Sequence, residues 1–460
     1  MTVTAERTTH VPTPAGDRRR TAGPGALLPV VGAATRVPLI DGSTRTYANL
    51  DCAASAPALQ TVAARVNEVL PLYASVHRGA GYLSQVSTAL YEASRSTIAE
   101  FVGARPHDVA IITRNTTDAL NLLAGCVPSG RVLVLDLEHH ANLLPWQRRD
   151  ATVLAIEDTV AATLAALARE LARTAYVLVA TTGASNVTGE GLPVDEVVRL
   201  AHDAGARVVV DGAQLVPHRG FSLEATGADY VAFSGHKTYA PFGAGALVGR
   251  RDWLDDGAPY LPGGGAVRDV RADRTLWTDA PARHEGGSPN VIGAIALAEA
   301  CTALAALPVG ALAAHEGELR ARLVAGLEAI DGVDVLRIWA DSADPVGVVA
   351  FDVAGHDPGL VAAYLAAEHG IGVRDGRFCA HPLVARLGVP AGAVRASVGV
   401  GTEVEAVDRL VAGVRAYVTT GPTAHYVVVD GCWAVADDPR PLLTLAGLTA
   451  LSPTAAACAI

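Results

Sequence analysis

No two of the six cysteines, Cys52, Cys126, Cys301, Cys379, Cys432 and Cys458, form a CxxC pair. That spacing excludes the usual zinc-site arrangements and a small disulfide-stapled scaffold, and it fits a reducing, cytoplasmic setting. No metal site is expected. No stretch of about 20 residues is apolar without interruption, so no membrane-spanning helix is expected either. Basic residues do not cluster beyond Arg18-Arg19-Arg20, and the net charge is -11. Neither nucleic acid nor an acidic membrane is therefore an expected partner. The arginine run followed by PGALLPVVGAA has the outline of a twin-arginine export signal, but Pro24 and Pro29 interrupt it. A disordered tail over residues 1–35 is the expectation instead. What remains is a chain of 460 residues, 50% of them hydrophobic. Such a chain is long enough for two lobes and suits a small-molecule partner.

The most informative stretch is RVVVDGAQLVPHRGFSLEATGADYVAFSGHKTYAPFGAG, residues 207–245. Val208 to Val210 and Tyr230 to Phe233 have the length and apolar content of buried parallel strands, and each ends in polar residues. Ligands of open α/β sheets bind beyond the carboxyl ends of strands, where Asp211, Gln214, Ser234, His236 and Lys237 would converge. A carboxylate and a lysine together suit pyridoxal phosphate, whose ring nitrogen wants an acid and whose aldehyde wants an amine. Ser234 and His236 offer a hydroxyl and a cation for its phosphate. A lysine in a Gly-rich turn is more often merely exposed, so this stretch alone leaves the question open.

VDGAQ followed by FSGHKTYAPFGAGAL resembles the class V aminotransferase family of fold-type I enzymes. Within it, the chain is similar to the second class of cysteine desulfurases, which includes selenocysteine lyases. The likeness runs from about Tyr47 to about Tyr417, and it implies an α/β fold. The expected large lobe has a doubly wound, mostly parallel sheet, and a smaller α+β lobe accompanies it. It also implies pyridoxal 5'-phosphate bound through Lys237, with Asp211 at the ring nitrogen.

The other motifs follow in chain order. LDCAAS resembles the family's entrance segment, placing Ala53 and Ala54 by the substrate, with Cys52 read as a packed small residue. SVHRG matches a motif near the substrate pocket through His77 and Arg78. Thr116 and Thr117, in RNTTDAL, fall at a helix N-terminus, where free N–H groups and the helix dipole favour a phosphate. EHHAN matches the motif whose first histidine, here His139, stacks on the cofactor ring and moves protons. Asn186, in SNVTG, and Gln214 match groups near the phenolic oxygen. EGGSPN resembles a segment whose hydroxyl residue, here Ser288, reaches the phosphate in a neighbouring subunit. His284 before it departs from the family pattern. The triple glycine 263–265 lacks the GxGxxG arrangement of a nucleotide loop and is read as a lid.

IGVRDGRFCAHP resembles the RxGxxCAxP loop of the second class, which puts Cys379 in the place of the sulfur-accepting thiol. Arg374, Arg377 and His381 surround it in sequence, and nearby cations favour a thiolate. Arg377 and Phe378 stand where two histidines are usual. Arg395, in VRAS, matches the arginine that grips the substrate carboxylate, with Arg374 as a helper.

The expected division is a tail over 1–35, an N-terminal segment over 36–62 joining the small lobe, a large domain over 63–306, a small domain over 307–420 and an extension over 421–460. Thr402 and Glu405 predict a capping box for the helix ending near Tyr417. The implied activity converts L-cysteine to L-alanine, leaving a persulfide on Cys379, with selenocysteine as the alternative substrate. Its expected partners are a second copy of the chain and a protein that accepts the sulfur. Rival readings are another class V reaction, such as a β-lyase, epimerase or aminotransferase, because fold and cofactor do not fix the reaction. A non-catalytic sulfur-relay protein is the remotest alternative.

Overall fold

The computed structural model describes residues 24–77 and 79–441; Arg78, the arginine run 18–20 and Cys458 lie outside the described residues. Seven strands make the main sheet: β1 (Asp108–Thr113), β2 (Val132–Leu135), β3 (Ala151–Leu154), β4 (Leu178–Thr182), β5 (Arg207–Asp211), β6 (Tyr230–Ser234) and β7 (Gly245–Arg250). Their order across the sheet is β1-β7-β6-β5-β4-β2-β3. Only β7 runs against its neighbours. The sheet is thus mostly parallel, as expected, and its parallel strands end on one edge.

Alternate residues of these strands enter separate cores. Val208, Val210, Val231 and Phe233 pack into one, while Val209, Tyr230 and Ala232 pack into the other. Burial on both faces explains the continuous apolar runs in β5 and β6. The helices α1 (Gln60–Val69), α2 (Tyr82–Phe101), α3 (Thr116–Cys126), α4 (Val160–Arg173), α5 (Val194–Asp203) and α6 (Val291–Ala305) accompany this sheet. α6 packs against both α1 and α2 and is apolar nearly all round, which suits a helix enclosed on most sides.

A second sheet, in the order β8-β9-β11-β10, consists of β8 (Val333–Val335), β9 (Val348–Val353), β10 (Arg374–Gly376) and β11 (Ala393–Ser397). α7 (Ala311–Glu328), α8 (Pro358–His369) and α9 (Val404–Thr420) bury their apolar sides with it in a separate core. This is the smaller α+β lobe. Asp51 bridges to Ser397, and Ala48–Asn49 pairs with Ile371–Gly372, so the chain's early residues run along this lobe.

The capping box does not form. α9 starts after Glu403 without a side-chain cap, because the Thr402 hydroxyl turns back to accept from Gly399 N at 2.9 Å. The N-terminal expectation is also corrected for residues 24–35. Leu27 N and Leu28 N both donate to Val400 O, and Val30 is buried against Leu59 and its neighbours. Backbone pairing and apolar burial hold this part down. At the other end, β12 (Tyr426–Val429) and β13 (Cys432–Val435) form a hairpin. Glu368 of α8 accepts from Thr423 N, Ala424 N and the Tyr426 hydroxyl, tying the hairpin to the lobe.

The segment between β8 and β9 leaves the small lobe and crosses the large one. Trp339 is buried in the large core and donates from its indole to the Thr163 hydroxyl at 3.0 Å. Glu190 accepts from Ile338 N and Trp339 N, and Asp341 accepts from Val160 N and Ala161 N at the start of α4. Trp339→Ala removes a large buried ring and its hydrogen bond to Thr163, so we expect a loss of about 3–5 kcal/mol in denaturant unfolding. A loss below about 1 kcal/mol would show that the strap does not hold the lobes together.

Candidate active site

The carboxyl ends of β1, β2, β4, β5 and β6 meet the small lobe at one cavity. It is lined by Ala53, Ala54, Thr116, Thr117, His139, Asn186, Asp211, Gln214, Ser234, His236 and Lys237 from the first half of the chain, and by Arg374, Phe378, Cys379 and Arg395 from the second. All the residues expected at the site line it except His77 and Ser288. His77 instead has its Nε2 2.7 Å from a Glu92 carboxylate oxygen, on an exposed surface, and Ser288 is also exposed. His77 has φ 66°, a left-handed conformation uncommon outside glycine.

One end of the cavity is built by α3. Asn115 caps this helix, its side chain accepting from Asp118 N at 3.0 Å. Thr116 N donates to the Ser234 hydroxyl at 2.8 Å, and the two hydroxyls lie 2.7 Å apart. This brings two hydroxyls and the positive end of a helix together, a set suited to a phosphate. Asn115 therefore builds this corner.

Asp211 closes β5, buried, with one carboxylate oxygen accepting from Ala213 N at 2.9 Å. Burial raises its pKa, offset in part by that N–H and by Lys237. Lys237 follows β6 in the turn after Ser234 and is the chain's only lysine. Burial lowers its amine from the ordinary 10.5 to about 8, with Asp211 opposing that shift and Arg395 adding to it. The neutral amine is the nucleophile toward an aldehyde, so lowering its pKa makes it reactive nearer neutral pH. For folding, the amine's penalty is full below about pH 8 and is relieved as pH rises from there toward 10.5, because the unfolded chain then binds the extra proton. Added pyridoxal, used as a probe aldehyde, should be captured by this amine with a rate that rises through a midpoint near pH 8. A midpoint near 10.5 in stopped-flow absorbance would mean the amine is not buried.

His139 sits opposite these groups at the end of the β2 turn. Its Nδ1 accepts from Ala141 N at 3.0 Å, which leaves Nε2 to carry the ring proton. Burial, then Lys237, lowers its pKa to about 3, so it stays neutral at ordinary pH. His140 packs edge-on against His381 at 4.5 Å, and among the described residues no His, Cys, Asp and Glu group is arranged to hold a metal.

The thiol loop arrives from the small lobe. Phe378 and Cys379 both have φ 52°, two consecutive left-handed residues without glycine's freedom. Such a conformation persists only where its surroundings hold it. Here Asn186 donates from Nδ2 to Phe378 O at 2.7 Å, His140 N donates to Cys379 O at 2.8 Å and Ala380 N donates to Arg377 O. Cys379 is half-buried at the cavity wall, whereas Cys52, Cys126 and Cys301 are buried. Burial raises the Cys52 thiol to about 12, matching the packed role read for it.

Arg395 lies beneath, buried, with Phe378 over its guanidinium at 5.2 Å. It donates to Asn186 O at 2.9 Å and to Asp51 at 3.1 Å, while its Nε finds no partner among the described residues. Asp51, one residue before Cys52, joins the site through this pairing alone. Gln214 donates to Ala53 O at 2.7 Å, and its buried Oε1 also lacks a partner. Two unsatisfied polar atoms on cavity-lining residues call for a ligand that supplies what they lack.

His284 lies away from the cavity. Its Nε2 donates to Leu254 O at 2.7 Å and its Nδ1 accepts from Tyr260 N at 3.2 Å, so both ring nitrogens are used in holding this loop. The neighbouring Glu285 takes two hydrogen bonds from Arg95 and one from the Tyr91 hydroxyl. The triple glycine is tied to the same loop, Gly287 N donating to Gly264 O, and leads into a hairpin of Val267–Val270 and Thr275–Trp277.

A family model described as aminotransferase class-V matches residues 48–410. A cysteine desulfurase of Dickeya dadantii is 39% identical, covering 81% of this chain and 92% of that protein. A probable cysteine desulfurase of Vibrio cholerae is 37% identical, with 82% and 94% covered. Among solved structures, the chain is similar to the apo cysteine desulfurase of Thermococcus onnurineus, with a TM-score of 0.75, 32% identity and 85% and 98% coverage. It is also similar to the Escherichia coli cysteine desulfurase CsdA in an S-sulfonic acid form, with a TM-score of 0.72, 32% identity and 80% and 94% coverage.

Proposed function

The chain belongs to the class V aminotransferase family, and from that premise we propose that it is a pyridoxal 5'-phosphate-dependent cysteine desulfurase. The observation that carries this reading is the convergence of Lys237, Asp211 and Cys379 on one cavity, with Cys379 on a backbone held in an unfavourable conformation. The residues present fit the cofactor. Thr116, Thr117, Ser234 and His236 would hold its phosphate, Asp211 its ring nitrogen, His139 its ring face, and Asn186 and Gln214 its phenolic side. Bound there, the cofactor supplies an electron sink for bonds at the substrate's α- and β-carbons.

The chain's own residues do the rest. Arg395, with Arg374 beside it, would orient the substrate carboxylate, since a planar guanidinium fixes two parallel hydrogen bonds. Lys237, whose amine is lowered to about 8, is suited to take and return a proton near neutral pH. His139 stays neutral and can donate from Nε2. The Cys379 thiolate forms a bond to the substrate sulfur as the carbon–sulfur bond breaks, and the freed electron pair stays with carbon and takes a proton. Cysteine plus the Cys379 thiol thereby become alanine plus a Cys379 persulfide, which a sulfur acceptor later discharges. Supplied with cofactor and L-cysteine, the protein should release alanine; pyruvate in its place would assign a β-elimination instead.

His77 and Ser288 fit this reading as contributions to a partner copy's site. Exposed Leu70, Tyr73 and Tyr82 beside the His77 turn support a second copy there. Mixing inactive Ser288→Ala and Lys237→Ala proteins should restore activity in hybrids, each of which keeps one intact composite site. Verified hybrids as inactive as their parents would remove the shared-site proposal.

A further inference from the structure

Glu138 is fully buried, directly before His139. One of its carboxylate oxygens accepts from Thr182 N at 2.8 Å, and the other accepts from Asn142 Nδ2 at 2.6 Å. Asn142 in turn accepts from the Trp146 indole at 3.0 Å, and both Asn142 and Trp146 are fully buried. The carboxylate therefore clamps the turn that carries His139 to the end of β4. Thr182 lines the cavity and stands opposite Asp211 in the β4–β5 register.

A buried acid is costly when its partners are neutral N–H groups: burial, with nearby Asp211, raises this carboxyl above its usual range, and the hydrogen bonds from Asn142 and Thr182 N oppose that rise by favouring the carboxylate. Core packing alone would be met at lower cost by an apolar side chain, apart from the two N–H groups that would then be orphaned. The clamped turn also holds His139 directly. Within the turn, Asn142 N donates to His139 O at 2.8 Å and Ala141 N donates to His139 Nδ1. A small change at residue 138 would thus be delivered to the imidazole.

We propose that Glu138 is a positioning residue, anchored by Thr182 N and setting the attitude of His139 over the cavity through Asn142. The proposal rests on the reading of His139 as the ring that covers the cofactor. A glutamine at 138 has the same shape but carries one N–H₂ where both present partners are donors, so one of the two hydrogen bonds must fail.

The test compares cofactor-loaded parent, Glu138→Gln, His139→Ala and the double variant. The first readout is visible circular dichroism of the bound cofactor, which responds to ring attitude in a folded protein and not to global stability. We expect the Glu138→Gln band to fall by about half or more, with kcat for cysteine down about tenfold and KM within about twofold. In the His139→Ala background the same substitution should change kcat by less than about twofold, because Glu138 acts through His139. Parent-like dichroism and kcat in Glu138→Gln, or effects that simply multiply in the double variant, would overturn the proposal. If Glu138→Gln does not fold, Asn142→Ala cuts the same clamp from its other end, and parent-like dichroism there overturns it equally. A parent that binds no cofactor or makes no alanine would instead indict the proposed function.

Discussion

Lys237→Ala gives a folded protein that binds pyridoxal phosphate without covalent capture and turns over cysteine about 10³-fold more slowly or worse. The size of the effect follows from the amine's two duties, attachment of the aldehyde and proton transfer at the substrate. The chain is well suited to this experiment because it contains no other lysine. Borohydride treatment of the parent should fix one cofactor to the peptide holding Lys237, and treatment of the variant should fix none to any side chain. No second ε-amine exists to substitute. The fold should survive, since removing an amine that burial holds down to about 8 relieves a desolvation penalty at the cost of its attraction to Asp211. A reduced covalent adduct on a side chain of Lys237→Ala would contradict the assignment.

Cys379→Ser separates sulfur transfer from the other reactions open to this family. A hydroxyl at neutral pH is a far weaker nucleophile than a thiolate, so alanine release from cysteine should fall by about 10²-fold or more. Cysteine binding should persist, because Arg395 and the cavity floor are untouched, and a change in the cofactor's visible absorption on adding cysteine would report it. In a β-lyase or aminotransferase the thiol is a bystander, and turnover would stay near the parent rate. The variant's fold is expected to hold, because the loop is pinned by bonds to the carbonyls of Arg377, Phe378 and Cys379, none of which involves the thiol. Cysteine is the substrate to use, since selenium leaves carbon more readily than sulfur and depends less on attack by Cys379.

The strands carrying the cavity were legible because burial on both faces of a parallel sheet imposes continuous apolar runs that stop at polar residues, as at Val210-Asp211 and Phe233-Ser234. The helix start at Thr116 was legible for a similar local reason. Contacts between residues far apart in sequence were not. Nothing in LDCAAS announces that Asp51 pairs with an arginine 344 residues later, or that the Ser397 hydroxyl accepts from Ala53 N. A glutamate beside two histidines, as at Glu138, reads as surface until its partners Thr182 and Asn142 are seen. The failed capping box has the same origin, since the Thr402 hydroxyl has a competing donor in Gly399 N. A chain with 36 Lys and Arg residues, of which Lys237 is the only lysine, already marks that position.

The most direct test of the central claim is the mass of the Cys379-containing peptide after the cofactor-loaded protein meets one equivalent of L-cysteine with no acceptor present. The account predicts that this peptide gains one sulfur atom, removable by a thiol reductant, and that one alanine appears for each sulfur gained. A Cys379 peptide of unchanged mass in protein that has consumed the cysteine, with pyruvate or another keto acid in solution, would contradict it.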